Sequence, residues 1–279
     1  MVAVENYRSV MAEGHSADTS GKFTFIPTTR VIDIMATQNW FPTKVQEKRA
    51  RKPEKIGFQT HVVRFRQPQQ NQAIVVGDIV PEIVCKNAHD GTSSFQFMAG
   101  LFRFVCTNGM VVADSMFQAY KVKHIGFQDQ NVIDAVFSVV KSTPMIVDRV
   151  NEFKQITLNR DEQKVFAESA LIVKYGVDEL KFQNDINKFN YDNLIAPTRS
   201  ADRIGSNGEN TLWNTFNILQ EKLVEKGGRF GVKQYPNMPD TFRVMTERAK
   251  VRGVKSVSEN IRINQGLWNL VEKLATLKN

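Results

Sequence analysis

Few residues in this chain are of types that do covalent or metal chemistry: two cysteines, Cys85 and Cys106, and four histidines. Cys106 stands in FRFVCTNGMVV, residues 102–112, between Val105 and Thr107 in an apolar run. A nucleophilic thiol needs a base in reach and a lowered pKa, whereas a free cysteine among apolar neighbours behaves as a small hydrophobe. Cys85, His89, Cys106 and His124 are ligand types that zinc accepts, yet their spacing is Cys-x-x-x-His followed by single, distant ligands instead of paired clusters. His61 and His124 sit beside aliphatic and aromatic residues and read as satisfied core or groove histidines. His89-Asp90 puts an imidazole beside a carboxylate, as metal-assisted hydrolysis would, but the further ligands of a two-metal centre are missing. Asp90-Gly91 reads instead as a turn that His89 hydrogen-bonds. GGRFG at 227–231 lacks the lysine and the preceding strand of a phosphate loop and reads as a helix stop, and no Walker loop, nucleophile elbow or dinucleotide fingerprint occurs. The expectation is therefore no catalytic residue, no metal, no cofactor and no enzymatic activity; a metal-dependent enzyme built on His89 and Asp90 is the least favoured reading.

Binding chemistry is better represented. The formal net charge is +8 and the pI about 9.4, a balance that attracts polyanions at long range. Between Thr43 and Lys55 the chain carries Lys44, Lys48, Arg49, Arg51, Lys52 and Lys55 against Glu47 and Glu54 alone. Arg64 and Arg66 share one face of the following strand by the period-two rule. Trp40, Phe41 and Phe58 are interleaved, and aromatics beside a cationic groove stack bases in sequence-tolerant single-strand binders. A second cluster comprises Arg243, Arg248, Lys250, Arg252 and Lys255. The expected phosphate contacts are Lys44, Lys48, Arg49, Arg51, Lys52, Lys55, Arg64, Arg66, Arg248, Lys250 and Arg252, with Trp40 and Phe58 as stacking residues. The competing reading makes the aromatics core and the charges a solvated face.

The elements that must position these residues follow from periodicity. Residues 1–22 are small and polar without a period and are expected to form a flexible arm. Pro27-Thr28 starts a short helix, with Val31, Ile34 and Met35 at helical spacing ahead of Trp40. Residues 43–55 read as strand plus loop, residues 56–67 as a strand, and AIVVGDIVPEIVCKN as further β-branched runs, giving an antiparallel meander. A helix is expected over 93–105, then a hairpin through Asn108-Gly109 into the return strand MVV. From Asn131 the period becomes helical, with Gly176 as a stop. The segment NTLWNTFNILQEKLVEKGG places Leu212, Phe216, Leu219 and Leu223 on one face before Gly227-Gly228. The fold class is α+β: a flexible arm 1–22, a mixed core 23–125 built on an antiparallel sheet with helices, and a mainly helical part 126–279 packed on it. With 279 residues and 42% hydrophobic content such a core can be filled. No apolar run reaches the roughly 20 residues of a membrane span, and no signal peptide is evident at the N-terminus. A cytoplasmic protein is expected.

NAHDGTSSFQFMAGLFRFVCTNGMVV, then TLWNTFNILQEKLVEKGG, then RINQGLWNLVEKL resemble, in order and spacing, a family of phage- and plasmid-borne proteins known as the domain of unknown function number nine-three-two, the LtrC-like group. The resemblance runs from about Phe23 to the end and implies a mobile-element origin, without an activity. The outline of a short helix ending in Trp40, basic strands and a helix at 93–105 is also similar to the core of single-strand annealing proteins of the Redβ and Erf kind. The leading expectation is a nucleic-acid-binding protein, single-stranded DNA favoured, acting in replication, recombination or annealing, with homo-oligomers allowed and no membrane partner. The alternative is a protein-interaction factor of a mobile element, anti-defence or assembly, with Trp213, Phe216 and Trp268 as anchors.

Overall fold

The computed structural model describes residues 2–68, 79–103, 108–111, 120–122, 129–176, 189–199, 202, 208–231 and 250–278. The chain divides into two compact units, Met1–Ile146 and Val147–Asn279.

The first unit is organised by an antiparallel sheet. Helix α1 (Thr28–Thr37) leads into β1 (Phe41–Glu47), followed by β2 (His61–Arg66), β3 (Ile79–Asn87), β4 (Phe95–Arg103), β5 (Asn108–Val111) and β6 (Tyr120–Val122). The order is β1-β2-β3-β4-β5, the expected meander, and β6 pairs with the N-terminal half of β4 along the edge whose other half β5 occupies. β2 and β3 are buried almost throughout, so Val62, Val63, Phe65, Ile83 and Val84 build the core from both faces of the sheet. The exit from α1 is a Schellman motif: Asn39 takes a left-handed φ of 62°, its N–H donates to Ala36 O at 3.0 Å, and Trp40 N–H donates to Met35 O at 2.9 Å. That turn directs Trp40 inward.

Three local expectations are corrected here. Residues 95–103 form a strand, not a helix: FQFMAGLFR has no local bias strong enough to resist pairing, and β3 supplies a continuous ladder from Ile79↔Arg103 to Lys86↔Gln96. The helix on which the outline similarity to annealing proteins rested is therefore absent at that place. The hairpin into β5 exists, but Asn108 and Gly109 pair with Arg103 and Phe102 and so belong to the return strand; residues 104–107, Cys106 among them, lie outside the described residues. The first 22 residues are likewise not a free arm over their described length. Val2 N–H donates to Pro42 O, Ser9 donates through its backbone N–H and hydroxyl to Glu47, Ser16 N–H donates to His89 O, and Val10 is fully buried. The buried Ser9 and Ser16 serve as partners for groups of the sheet unit, while much of the rest of the segment faces water.

Helix α2 (Asp129–Gln155) contains the division between the units, so the boundary falls within a helix and not at the expected 125/126. Its first turn belongs to the sheet unit, where Asp129 pairs with Arg30 at 2.7 Å. The second unit contains α3 (Arg160–Tyr175), α4 (Tyr191–Ile195), α5 (Leu212–Gln220), a π-helical turn (Glu221–Glu225) and α6 (Val257–Lys278), with short pairs β7 (Thr157–Leu158) on β8 (Asn210–Thr211) and β9 (Gly227–Arg229) on β10 (Lys250–Arg252). A capping box sets the start of α3, Asn159 accepting from Glu162 N–H while the Glu162 carboxylate accepts from Asn159 N–H, and Gly176 at φ 79° ends it as expected. The core of this unit is aromatic: Trp268 lies edge-on to Phe153 at 5.5 Å and to Phe216 at 6.1 Å, and Phe216 neighbours Trp213 at 5.6 Å. The fold class is α+β, with a helical C-terminal part.

Candidate nucleic-acid interface

The β1–β2 connection, residues 48–60, is the most cationic surface segment among the described residues of the first unit. It is closed at its base by Lys48 N–H donating to Thr60 O, and shaped by a turn of 3-10 helix over Pro53–Lys55 and by Gly57 at φ 92°, whose N–H donates to Gln59 Oε1. Lys55 is drawn inward, its ammonium 2.7 Å from the Asp18 carboxylate, which it holds below the usual carboxylate range, and 3.3 Å from Ser16 Oγ. His89 N–H donates to Phe58 O and anchors the far end. The connection is thus fastened at several points, while Lys48, Arg49, Arg51 and Lys52 stay in solvent with Lys44 exposed on the edge strand β1. Of the two nearby acids, Glu47 is committed to Ser9, and Glu54 lies 4.0 Å from Lys52 with both side chains largely in water. Among the described residues, Lys44, Lys48, Arg49 and Arg51 have no ion pair.

Other expected contacts are placed elsewhere. Arg64 is buried, its guanidinium 2.8 Å from the buried Glu82 carboxylate, and Arg66 lies 3.1 Å from the same carboxylate with its guanidinium 3.8 Å above the Phe102 ring. Burial lowers the Arg66 pKa against the opposing pull of Glu82. Both arginines are spent inside the protein, because a strand buried on two faces offers the period-two rule no solvent side. Trp40 is 2% exposed and cannot stack a base; its place as the residue after the left-handed Asn39 encloses it. Phe58 is half-buried. The residue that sequence reasoning missed is Ile56, 48% exposed at the tip of the basic connection. Its one sequence signal is an isolated apolar residue between Lys55 and Gly57.

In the second unit Lys250 and Arg252 are exposed on β10 and Lys255 is exposed beyond it; Arg243 and Arg248 lie outside the described residues. The segment GGRFG does end a helix, Gly227 taking φ 72°, but then enters β9.

Cys85 is buried in β3, where burial pushes its thiol pKa up and away from reactivity. His124, like Cys106, is outside the described residues, and among the described residues no cluster of three potential ligands could hold a metal ion. Asp90 accepts from Thr92 N–H and its hydroxyl and makes the turn with Gly91 at φ 73°. His89 is buried beside His61 with ring centroids 5.2 Å apart. His61 Nδ1–H donates to Gln59 O at 3.2 Å, so its Nε2 accepts from the Thr28 hydroxyl at 2.8 Å. Thr28 Oγ1 in turn accepts from Asn87 Nδ2 at 3.0 Å, and burial pulls the His61 pKa down to about 4. This polar cluster joins α1 to the sheet from inside the core. Trp213, Phe216 and Trp268, the expected protein-binding anchors, are core residues of the second unit, which removes them from any contact surface. The polar side of α5 and its π turn is also internal: Glu221 pairs with Arg199 at 2.8 Å and Lys226 at 2.6 Å, and the Lys222 ammonium, its pKa lowered by burial to about 8, donates to Asn193 O and Ala196 O.

No helix among the described residues is long and apolar enough to cross a membrane. No solved structure matches this chain. The chain is similar to two proteins of Escherichia coli (strain K12), UPF0380 protein YafZ, at 29% identity over 268 residues covering 96% of this chain and 88% of that protein, and UPF0380 protein YfjQ, at 28% identity with the same coverage. Residues 17–268 match the family described as a domain of unknown function, DUF932, and the chain belongs to that family.

Proposed function

We propose that this protein binds nucleic acid, single-stranded DNA in preference, through the β1–β2 connection and the adjoining part of β1, in the replication, recombination or annealing of a mobile element within a bacterial cytoplasm. The observation that carries this reading is a connection fastened at its base, at Lys55 and at Phe58, yet presenting Lys44, Lys48, Arg49, Arg51 and Lys52 to solvent around the exposed Ile56. Cations held in place neutralise phosphates and release counterions, and an exposed apolar side chain among them meets base faces. The role is stoichiometric binding. The test is anisotropy of labelled single- and double-stranded oligonucleotides across a salt series, with Arg49→Ala/Arg51→Ala/Lys52→Ala alongside. Tight single-strand binding that weakens with salt and with the triple change supports the reading; absence of binding at low salt overturns it.

A further inference from the structure

The β9–β10 ribbon of the second unit carries its own cationic face. Arg229 stands opposite Lys250, Gly228 opposite Val251, and Gly227 opposite Arg252. Directly opposite residues of an antiparallel pair project to the same side, and successive residues alternate. Val251 is buried, so Lys250, Arg252 and Arg229 share the outer side, and all three are exposed. Like charges placed directly opposite across a ladder cost stability. Among the described residues no carboxylate pairs with Arg229, Lys250 or Arg252: Glu221 is taken by Arg199 and Lys226, and Glu259 by Arg262.

The ribbon is held firmly despite that cost. The Lys174 ammonium donates to Arg252 O at 2.5 Å and to Leu223 O, and Val254 N–H donates to Val224 O at 2.7 Å. A side chain on Gly227 would place its Cβ 2.5 Å from Val251 O, so the two strands approach as closely as glycine alone permits. Tyr175, half-buried at the end of α3, lies within reach of the Arg252 charge, which opposes the rise that burial imposes on its phenol pKa. A firmly held ribbon with three cations on one side, none of them paired with a carboxylate among the described residues, fits a polyanion.

We propose that the outer face of the β9–β10 ribbon, formed by Arg229, Lys250 and Arg252, is a second phosphate-binding surface that engages a nucleic-acid backbone separately from the β1–β2 connection. This inference rests on the reading of the protein as a nucleic-acid binder and adds that each unit contributes its own site. Two sites on one chain raise the affinity for a strand long enough to occupy both, through effective concentration. Each phosphate neutralised contributes about 0.7 to the slope of log affinity against log salt for single strands, so the ribbon accounts for about 2 of the total.

The experiment uses the full chain and labelled oligo(dT) of short and long lengths over a salt series. The variants are Arg229→Gln/Lys250→Gln/Arg252→Gln, the charge-retaining Arg229→Lys/Arg252→Lys, and the connection triple Arg49→Ala/Arg51→Ala/Lys52→Ala. The expected result is an affinity for long oligo(dT) lowered about tenfold by the glutamine variant, a salt slope shallower by about 2, and recovery of both with the lysine variant. The connection triple should keep residual salt-dependent binding that disappears when the two sets are combined. Wild-type affinity and slope in the glutamine variant, while the connection triple weakens binding, overturn the second site and leave the first reading standing. No binding by the wild-type chain overturns both. Should the glutamine variant melt early, Lys250→Glu alone tests the same face, with weaker binding and a slope shallower by about 0.7 as the expected result, because it replaces one exposed cation with an anion there.

Discussion

The Arg64 guanidinium and the Glu82 carboxylate lie 2.8 Å apart across the β2–β3 pair with both side chains buried, and Arg66 shares the same carboxylate. Removing one member of a buried pair leaves its partner charged in a low-dielectric site, a loss of about 3–5 kcal/mol. Glu82→Gln leaves two arginines in that position. We expect it to lower stability by about that amount in denaturant unfolding. An oligonucleotide salt slope unchanged by Arg64→Met, measured where the variant is folded, would confirm that Arg64 is structural.

The buried His61 supplies a pH dependence with a definite sign. Its pKa falls from the ordinary imidazole value of 6.5 to about 4 in the folded protein, so between those values the unfolded chain binds more protons than the folded one. Stability from this group is complete above pH 6.5, declines as pH falls through the window, and levels off below about 4. The full span corresponds to about 3 kcal/mol. His61→Gln should flatten the unfolding free energy between pH 6.5 and 4 relative to wild type, as followed by thermal or denaturant melts at each pH.

Ile56 separates apolar from ionic contributions to binding. Ile56→Ser leaves every charge of the β1–β2 connection in place and removes its exposed apolar tip. Single-strand affinity should fall while the salt slope stays constant, because the slope counts phosphates and not base contacts. Stability should change by less than about 0.5 kcal/mol, as for other surface positions.

The N-terminal segment is part of the sheet unit. Deleting residues 2–16 removes the Ser9 donors from Glu47, the Ser16 donor from His89 O and the buried Val10. The truncated chain should melt at lower temperature and exchange its β1 amides faster; an unchanged melt would mean that these contacts contribute nothing.

Local chemistry in the sequence was enough for several features. The helix ahead of Trp40, the Gly176 stop of α3, the antiparallel meander, the α+β class and family membership all rest on short-range patterns: turn residues and periods carry their own physical reason within a few positions. The basic run from Lys44 to Lys52 was equally visible, since charge needs no partner to be counted. What only the tertiary structure decided is which side chains the environment consumes. Residues 95–103 became a strand because β3 offered them a ladder, a pairing set by residues distant in sequence. Arg64 and Arg66 were withdrawn by Glu82, and Trp40 by a left-handed turn at Asn39. The same partition left Ile56 in solvent and brought Arg229 opposite Lys250, two positions 21 residues apart in the chain, on one outward face. Burial and cross-strand register are properties of the assembled chain, so no window of sequence contains them.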